Sequence, residues 1–446
     1  MLKIKTPDFV ADAILCLEAK GFEAYVVGGA IRDSLLGITP FDWDIATNAL
    51  PEEIMSVFPK HYATGLKHGT ITAIIGKYPI EITTYRIDGK YLDSRRPENV
   101  EYTKRLFEDL KRRDFSINAL AYNERSGIID AYGGVEDLRN GIIRCVGNPN
   151  DRFTEDALRI LRAIRFAAAI NFQIEPSTFE SIGRYAHLLK KISGERICAE
   201  LTKLIMCDSR IELLFDSGVG DVVLPEVSCC FSIWQNNPQQ LYDVGNHLLE
   251  TVINSPKNPI LRFAALLHDI GKAKTRHTDF FGFDTFPNHA AASVTLAKHV
   301  LERLKFSNKA KKAVLDLIKR HEVKIHPATL SVKRAAAKLG KAELDDLIAL
   351  KRANSLSHSE KYMKLECNLL DKVETIYNEI INSNTPLYIK DLAIDGNDVK
   401  KLGFVGSEIG NTLRFLMVRV IENETLNTKD ALIELAIKRL KNRTRQ

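Results

Sequence analysis

Ala24-Tyr-Val-Val-Gly-Gly-Ala-Ile-Arg-Asp33 is the stretch on which the fold of this 446-residue chain turns. Ala24 to Val27 read as a short apolar strand, and a glycine pair follows at once. Two glycines after a strand let the backbone approach a ligand closely and offer free N–H groups to a phosphate. Arg32 adds a fixed positive charge with a fork of donors. Upstream, residues 8 to 20 read as an amphipathic helix with Phe9, Ile14, Leu15 and Leu17 on its apolar face, closed by Gly21. Downstream, strand signals recur at Ile71–Ile75, Ile80–Tyr85, Ala119–Tyr122, Ile128–Asp130 and Ile142–Val146. Residues 86 to 113 are polar and charged without apolar periodicity, and read as a long mobile segment. After Pro149 strand signals nearly vanish and helical periodicity runs to the end. The fold class is therefore α+β: a head with a sheet, then a mostly helical remainder. Pro225, Pro238, Pro256 and Pro259 mark helix breaks, as does Asn382-Ser-Asn-Thr-Pro386. The chain divides into a head over 1–148, a neck over 149–215, a helical body over 216–355 and a tail over 356–446.

Hydrophobic residues make up 45% and charged residues 27%, the profile of a soluble, globular, multi-domain protein. A net charge of +6 suits a polyanionic partner without demanding one. Of the seven cysteines only Cys229 and Cys230 are close together, and no Cys-x-x-Cys pair exists. Neither a zinc site nor a disulfide framework is indicated, and reduced thiols in a cytoplasmic protein are expected. The amino terminus lacks a long apolar core and a cleavage site, and no segment is long enough to span a bilayer, so no membrane partner is expected.

Chemistry concentrates in the head. In Phe41-Asp-Trp-Asp-Ile-Ala-Thr47, Asp42 and Asp44 are one residue apart; if extended, that stretch presents both carboxylates on one face. Like charges so close repel unless a divalent cation lies between them, and oxygen ligands beside a phosphate favour Mg²⁺. Two such ions would activate an attacking hydroxyl and neutralise a leaving pyrophosphate. On the strand at 80–85, Ile80 and Ile82 face the core and Glu81 the opposite side. Glu81 then either completes the metal site or is a solvated strand residue.

Arg112-Arg-Asp-Phe-Ser-Ile-Asn-Ala119 carries an arginine pair suited to a triphosphate. Asp114 and Asn118 are placed to fix a sugar or orient the arginines, pinned by Phe115 and Ile117. Next, Arg152-Phe-Thr-Glu-Asp-Ala-Leu-Arg-Ile-Leu-Arg-Ala-Ile-Arg-Phe166 reads as a helix with Thr154 as N-cap. Asp156, Arg159, Arg162 and Arg165 follow one face in three-residue steps, with Leu158, Leu161 and Ile164 opposite. One reading is an ordinary ion pair on an amphipathic helix. The other is a protein template: a carboxylate accepting from the exocyclic amino group and a guanidinium donating to the ring nitrogen fit cytosine and adenine. Guanine and uracil would bring a carbonyl oxygen against that carboxylate.

Together GGAIRD (28–33), DWD (42–44), RRDFSINA (112–119), RFTEDALRILRAIRF (152–166) and ISGERICAEL (192–201) closely resemble the class II tRNA nucleotidyltransferases, the bacterial CCA-adding enzymes. A weaker likeness continues in LAIDGNDVKKLGFVGSEIG (392–410). The resemblance implies a polymerase-beta-like nucleotidyltransferase head with a five-stranded catalytic sheet, then helical neck, body and tail. It implies metal at Asp42 and Asp44, with Gly28, Gly29 and Arg32 near the triphosphate. Arg113 would contact the nucleotide, Asp156 and Arg159 would read the base, and Arg162 and Arg165 would support the triphosphate or the template. The implied reaction is template-independent addition of CCA to the 3′ end of tRNA from CTP and ATP. A poly(A) polymerase and a partial enzyme adding only CC or only A are the alternatives. The segment 86–113 is similar to the family's flexible loop, whose presence favours full CCA addition.

A second constellation resembles the HD phosphohydrolases: His247, then His268 and Asp269 in Leu266-Leu-His-Asp-Ile-Gly-Lys272, with His289 and His321 as further candidate ligands of a transition metal. The closing aspartate expected near Lys351–Ser355 is replaced by Asn354, a poorer ligand. The expectations are either a hydrolase site, which would make the chain an HD phosphohydrolase that binds tRNA, or an HD fold kept as helical body.

Overall fold

The glycine turn lies at the end of a central strand. The computed structural model describes residues 3–89 and 100–443. Its head sheet comprises β1 (Ala24–Val27), β2 (Asp44–Thr47), β3 (His61–Gly65), β4 (Thr70–Ile75) and β5 (Tyr78–Thr84). A two-stranded ribbon follows, β6 (Arg86–Asp88) with β7 (Val100–Tyr102), and then β8 (Leu120–Asn123) and β9 (Gly127–Asp130) return to the sheet. The order is β3-β4-β5-β2-β1-β8-β9, seven strands where the resemblance implied five, because β3 and β9 extend the two edges. Neighbours are antiparallel except β2 and β5, so the sheet is mixed. Val26, Ile45, Ile71, Ile80 and Ile82 are buried on it, each contributing about 2 kcal/mol by burial.

Three expectations change. In α1 (Asp8–Glu18) the buried stripe is Val10, Ala13, Ile14 and Leu17, while Leu15 is 53% exposed. Those four follow the i, i+3, i+4, i+7 rule and Leu15 falls off it. Phe9 stacks instead on Tyr78, with ring centroids 4.4 Å apart. The segment 86–113 is partly structured: after α2 (Gly29–Leu35), the next helix relevant to the site is α3 (Leu106–Lys111), which buries Leu106 and Leu110 one turn apart. Residues 90–99 of that segment lie outside the described residues. The signal at 142–146 yields only β10 (Ile142–Ile143), which pairs in parallel with β11 (Gln173–Ile174) and not with the head sheet.

The neck helix is two helices. α4 (Pro149–Glu155) is capped by Asn148, whose side chain accepts from the Asn150 N–H at 2.9 Å, with Pro149 at the first position. Thr154 is therefore not the cap; it sits inside the helix, its hydroxyl bonded back to the carbonyls of Asn150 and Asp151. The chain breaks at Asp156 (φ −136°, ψ 103°) and restarts as α5 (Leu158–Ala169), followed further on by α6 (Gly194–Ile205).

Two units are distinguished, Met1–Ser228 with Val300–Phe306, and Cys229–His299 with Ser307–Gln446. The second is helical apart from a two-stranded ribbon, His277–Thr278 with Asp284–Thr285. Val332, Leu344, Ile348, Val373 and Tyr377 form one of its cores, and Val399, Leu416, Val420 and Leu432 another. Pro225 and Pro259 open helices, where a missing N–H costs nothing. No helix among the described residues is long and apolar enough to cross a membrane.

Candidate active site

Gly28 adopts φ +75°, and a Cβ there would lie 2.8 Å from the Arg113 guanidinium. The backbone angle requires glycine, and the Arg113 guanidinium packs closely against it. Across the sheet, the parallel pairing of β2 with β5 sets Asp44 in register with Glu81. Asp44 opens β2 and Asp42 precedes it in the loop. Glu81 alternates with buried Ile80 and Ile82, as the sequence implied. Asp44 lines the cleft, exposed to solvent on one side and partly desolvated by the protein on the others. That desolvation, then the charges of Asp42 and Glu81, raises its pKa to about 6 against the pull of Arg113. Two neighbouring carboxylates that raise the proton affinity of Asp44 fit a hard divalent cation.

A chain of polar contacts crosses the floor. Arg32 donates to Asp33 and to Asn118, each at 2.8 Å. Asn118 donates to Asp114 at 3.0 Å, and Arg162 donates to the other Asp114 oxygen at 2.7 Å. Burial alone would raise the Asp114 pKa, but the Arg162 charge and the hydrogen bonds of Asn118 and Arg162 hold it at about 2. Asp109, fully buried in α3, accepts from Arg112 at 2.7 Å and from Arg113 at 3.4 Å, aiming both arginines.

Asp156 and Arg159 are not paired with each other. The helix break puts Asp156 at a cap, one oxygen accepting from the Leu158 N–H at 3.0 Å and the other from Arg196 at 2.8 Å. Arg159 binds Glu155 at 2.5 Å and the Arg112 carbonyl at 2.9 Å. Arg165 is held by Glu200 at 2.5 Å. Leu158, Leu161 and Ile164 are buried, as expected.

A cleft of about 510 Å³ gathers Gly28, Gly29, Arg32, Asp42, Asp44, Arg113, Asp114, Asn118, Asp156, Arg159, Arg162 and Arg165. Glu81 is in register with Asp44 but outside the cleft lining. Sequence reasoning missed two of the lining residues, Phe166 and Arg196, while Arg112 belongs to the arginine pair it had singled out. The guanidiniums of Arg165, Arg32 and Arg162 stand 3.9, 4.9 and 5.3 Å from the Phe166 ring centroid. An aromatic closing a run of arginines at helical spacing was the available signal. Arginine forks around a cleft with an acidic edge are built to hold a polyphosphate beside a cation.

Residues 24–144 match the family model described as the poly A polymerase head domain. That match is confined to the head. Behind the head, residues 171–230 match a probable RNA and SrmB-binding site of polymerase A, and residues 245–368 match the HD domain. A CCA-adding enzyme of Ligilactobacillus salivarius is 49% identical over 209 residues, which cover 46% of this chain and 52% of the relative. One from Enterococcus faecalis is 48% identical over 196 residues, covering 44% and 48%. The chain thus spans about half the length of the curated relatives it matches. Among solved structures, the Bacillus stearothermophilus CCA-adding enzyme in complex with CTP superposes at TM-score 0.74 with 26% identity, covering 99% of this chain and 100% of that one. The Thermotoga maritima CCA-adding enzyme complexed with tRNA shares the fold at TM-score 0.59 and 21% identity, covering 98% and 97%.

The HD domain has its own centre, in the second unit. His247, His268 and Asp269 form one group of potential ligands, and Asp269, His289 and His321 another. His268, His289 and His321 each set Nδ1 against the carbonyl three residues earlier, at 2.8, 2.8 and 2.7 Å. A carbonyl only accepts, so Nδ1 carries the proton and Nε2 offers a lone pair inward. Burial, first of all, depresses the His268 pKa to about 4 and holds the His247 pKa well below the usual imidazole value, keeping both rings neutral. Among the described residues the buried Nε2 atoms of His247 and His268 have no hydrogen-bond partner, and Asp269 Oδ1 faces the Nε2 atoms of His289 and His321. Converging acceptors of this kind fit a borderline transition ion. Asn354 lines the same cavity, of about 620 Å³, as Asp269, His289 and His321.

Proposed function

We propose that this chain is a template-independent nucleotidyltransferase that adds CCA to the 3′ end of tRNA, using CTP, ATP and Mg²⁺. The observation that carries the reading is that one cleft gathers Asp42 and Asp44, the arginines Arg32, Arg113, Arg162 and Arg165, and the pair Asp156 and Arg159. The polypeptide supplies base recognition, phosphate binding and the catalytic carboxylates together. The CTP, ATP and tRNA complexes of the structural relatives support the same assignment.

When bound by Asp42 and Asp44, with Glu81 beside Asp44, Mg²⁺ supplies charge neutralisation and activation of the 3′-hydroxyl. The turn at Gly28 and Gly29 with Arg32 and Arg113 binds the triphosphate, and Asp114 and Asn118 keep Arg32 and Arg162 aimed. Asp156 accepts from the amino group common to cytosine and adenine while Arg159 donates to the ring nitrogen, and Arg165 supports the floor. The RNA-binding match at 171–230 and the net positive charge suit tRNA as the acceptor, and the cytoplasm as the place of work.

The test is incubation of the purified chain with tRNA lacking its terminal CCA, Mg²⁺ and single labelled nucleotides. Label from CTP, then from ATP once CC is present, is the expected result. A homopolymer of A would instead make it a poly(A) polymerase, CC or A alone a partial enzyme, and no incorporation would refute the assignment.

A further inference from the structure

Lys272 is only 6% exposed, and its position is fixed from three sides. Its ammonium lies 2.6 Å from Asp269 Oδ2 and donates to Gln235 Oε1 at 2.9 Å. It also stands 5.3 Å from the centroid of the Phe286 ring. The turn before it is closely packed: Gly271 donates its N–H to the Ser293 hydroxyl at 2.8 Å, and a Cβ there would lie 2.3 Å from the His289 carbonyl oxygen. Asp269 is the one carboxylate shared by the two candidate ligand groups of the HD centre. Its two oxygens face different ways. Oδ2 is the atom toward His268 (3.4 Å) and His247 (3.7 Å), and it is also the atom against Lys272. Oδ1 faces His289 at 3.1 Å and His321 at 3.3 Å.

We propose that the Lys272 ammonium is the resident cation of the His247–His268 half of this centre, so that the HD domain accepts at most one divalent ion, at the His289–His321 half. A buried lysine needs an anionic partner, and Asp269 supplies it. A divalent ion entering the same half would face a fixed positive charge next to Asp269 Oδ2, the one carboxylate oxygen of that group among the described residues, and would have to displace it. Asn354, at the edge of the cavity, brings no negative charge to offset that repulsion.

The experiment counts metal and does not read activity. The full chain carrying Asp42→Ala and Asp44→Ala, so that ions at the head do not contribute, is stripped with chelator and dialysed against Mn²⁺, Co²⁺ or Ni²⁺. Bound metal is then measured by elemental analysis. The expected result is no more than one ion per chain, unchanged by His247→Gln. Lys272→Met should gain a second ion or bind at least about tenfold tighter. Two ions in the parent chain, or loss of the bound ion in His247→Gln, would overturn the proposal without recourse to the lysine variant. A folded Lys272→Met chain with unaltered stoichiometry and affinity would overturn it as well. Because no nucleotide is added in this assay, failure of the tRNA assignment leaves its outcome untouched.

Discussion

Phe166→Leu removes the aromatic face under three guanidiniums while keeping an apolar side chain of similar reach. The ring is nearly buried, with Arg165, Arg32 and Arg162 at 3.9, 4.9 and 5.3 Å from its centroid and Phe115 edge-on at 5.8 Å. At partly exposed sites each cation–π contact is worth roughly 0.5–1 kcal/mol, and the aromatic pair about 1 kcal/mol. The contacts share one ring and do not add fully, so the expected loss is about 2–3 kcal/mol. Leucine leaves the three arginines to their polar partners, Asp33 and Asn118 for Arg32, Asp114 for Arg162 and Glu200 for Arg165. Their mutual repulsion then spreads the floor before any triphosphate arrives. About half of that energy falling on nucleotide binding corresponds to a rise of about tenfold in KM for both CTP and ATP, with kcat less affected. Steady-state kinetics on tRNA ending in C74 or C75 separates the two parameters, and thermal unfolding reports the stability change. KM within twofold of wild type together with an unchanged melting temperature would show that the ring is only filling space.

Asp42→Ala or Asp44→Ala should abolish incorporation while leaving tRNA binding, read by gel shift, nearly intact; activity within tenfold of wild type removes them from the metal role. Because the Asp44 pKa is raised to about 6, its ligating carboxylate form is present above that pH and lost as pH falls through it. The Mg²⁺ concentration giving half-maximal rate should therefore be about fourfold higher at pH 5.5 than at 7.5, and a flat response contradicts the assignment. Asp156→Ala should relax discrimination against UTP and GTP more than it slows CTP, and Arg196→Met should do so in part, since Arg196 holds Asp156 at 2.8 Å. Equal losses in kcat/KM for all four nucleotides point to a purely structural pair. His268→Ala should leave nucleotide addition unchanged and the chain should hydrolyse 2′,3′-cyclic phosphates weakly; robust metal-dependent hydrolysis lost in that variant would contradict the second half.

The residues of the cleft were legible in the sequence because most of them lie in short, local patterns. Gly28 and Gly29 directly follow a strand, Asp42 and Asp44 are two apart, and Arg159, Arg162 and Arg165 repeat at helical spacing, so one element's geometry suffices to group each set. The strand at 80–85 alternates, so the outward face of Glu81 followed from the period alone. Leu15 misled because one apolar residue beside a stripe is indistinguishable from the stripe until the packing partner is known; the partner took Val10 and Ala13. Thr154 misled because Asn148 with Pro149 is the stronger start, and the helix it opens ends at Asp156 instead of running through.

What only the tertiary structure decided is which of these patterns meet, and in which ionic pairing. Asp44 and Glu81 face each other across a parallel pairing of strands far apart in sequence, and the register of that pairing is set by the hydrophobic faces of both strands, not by either carboxylate. Asp156 pairs with Arg196, 40 positions away, and not with Arg159, because a backbone break turned it out of the helical face. Lys272, in the sequence only the end of a motif, became the counter-ion of Asp269 through a turn closed by Gly271 and a side chain from Gln235. Periodicity and spacing fix what a segment can present to a partner. The partner itself is chosen by burial of the other segments, a long-range competition among all apolar faces of the chain that no local stretch encodes.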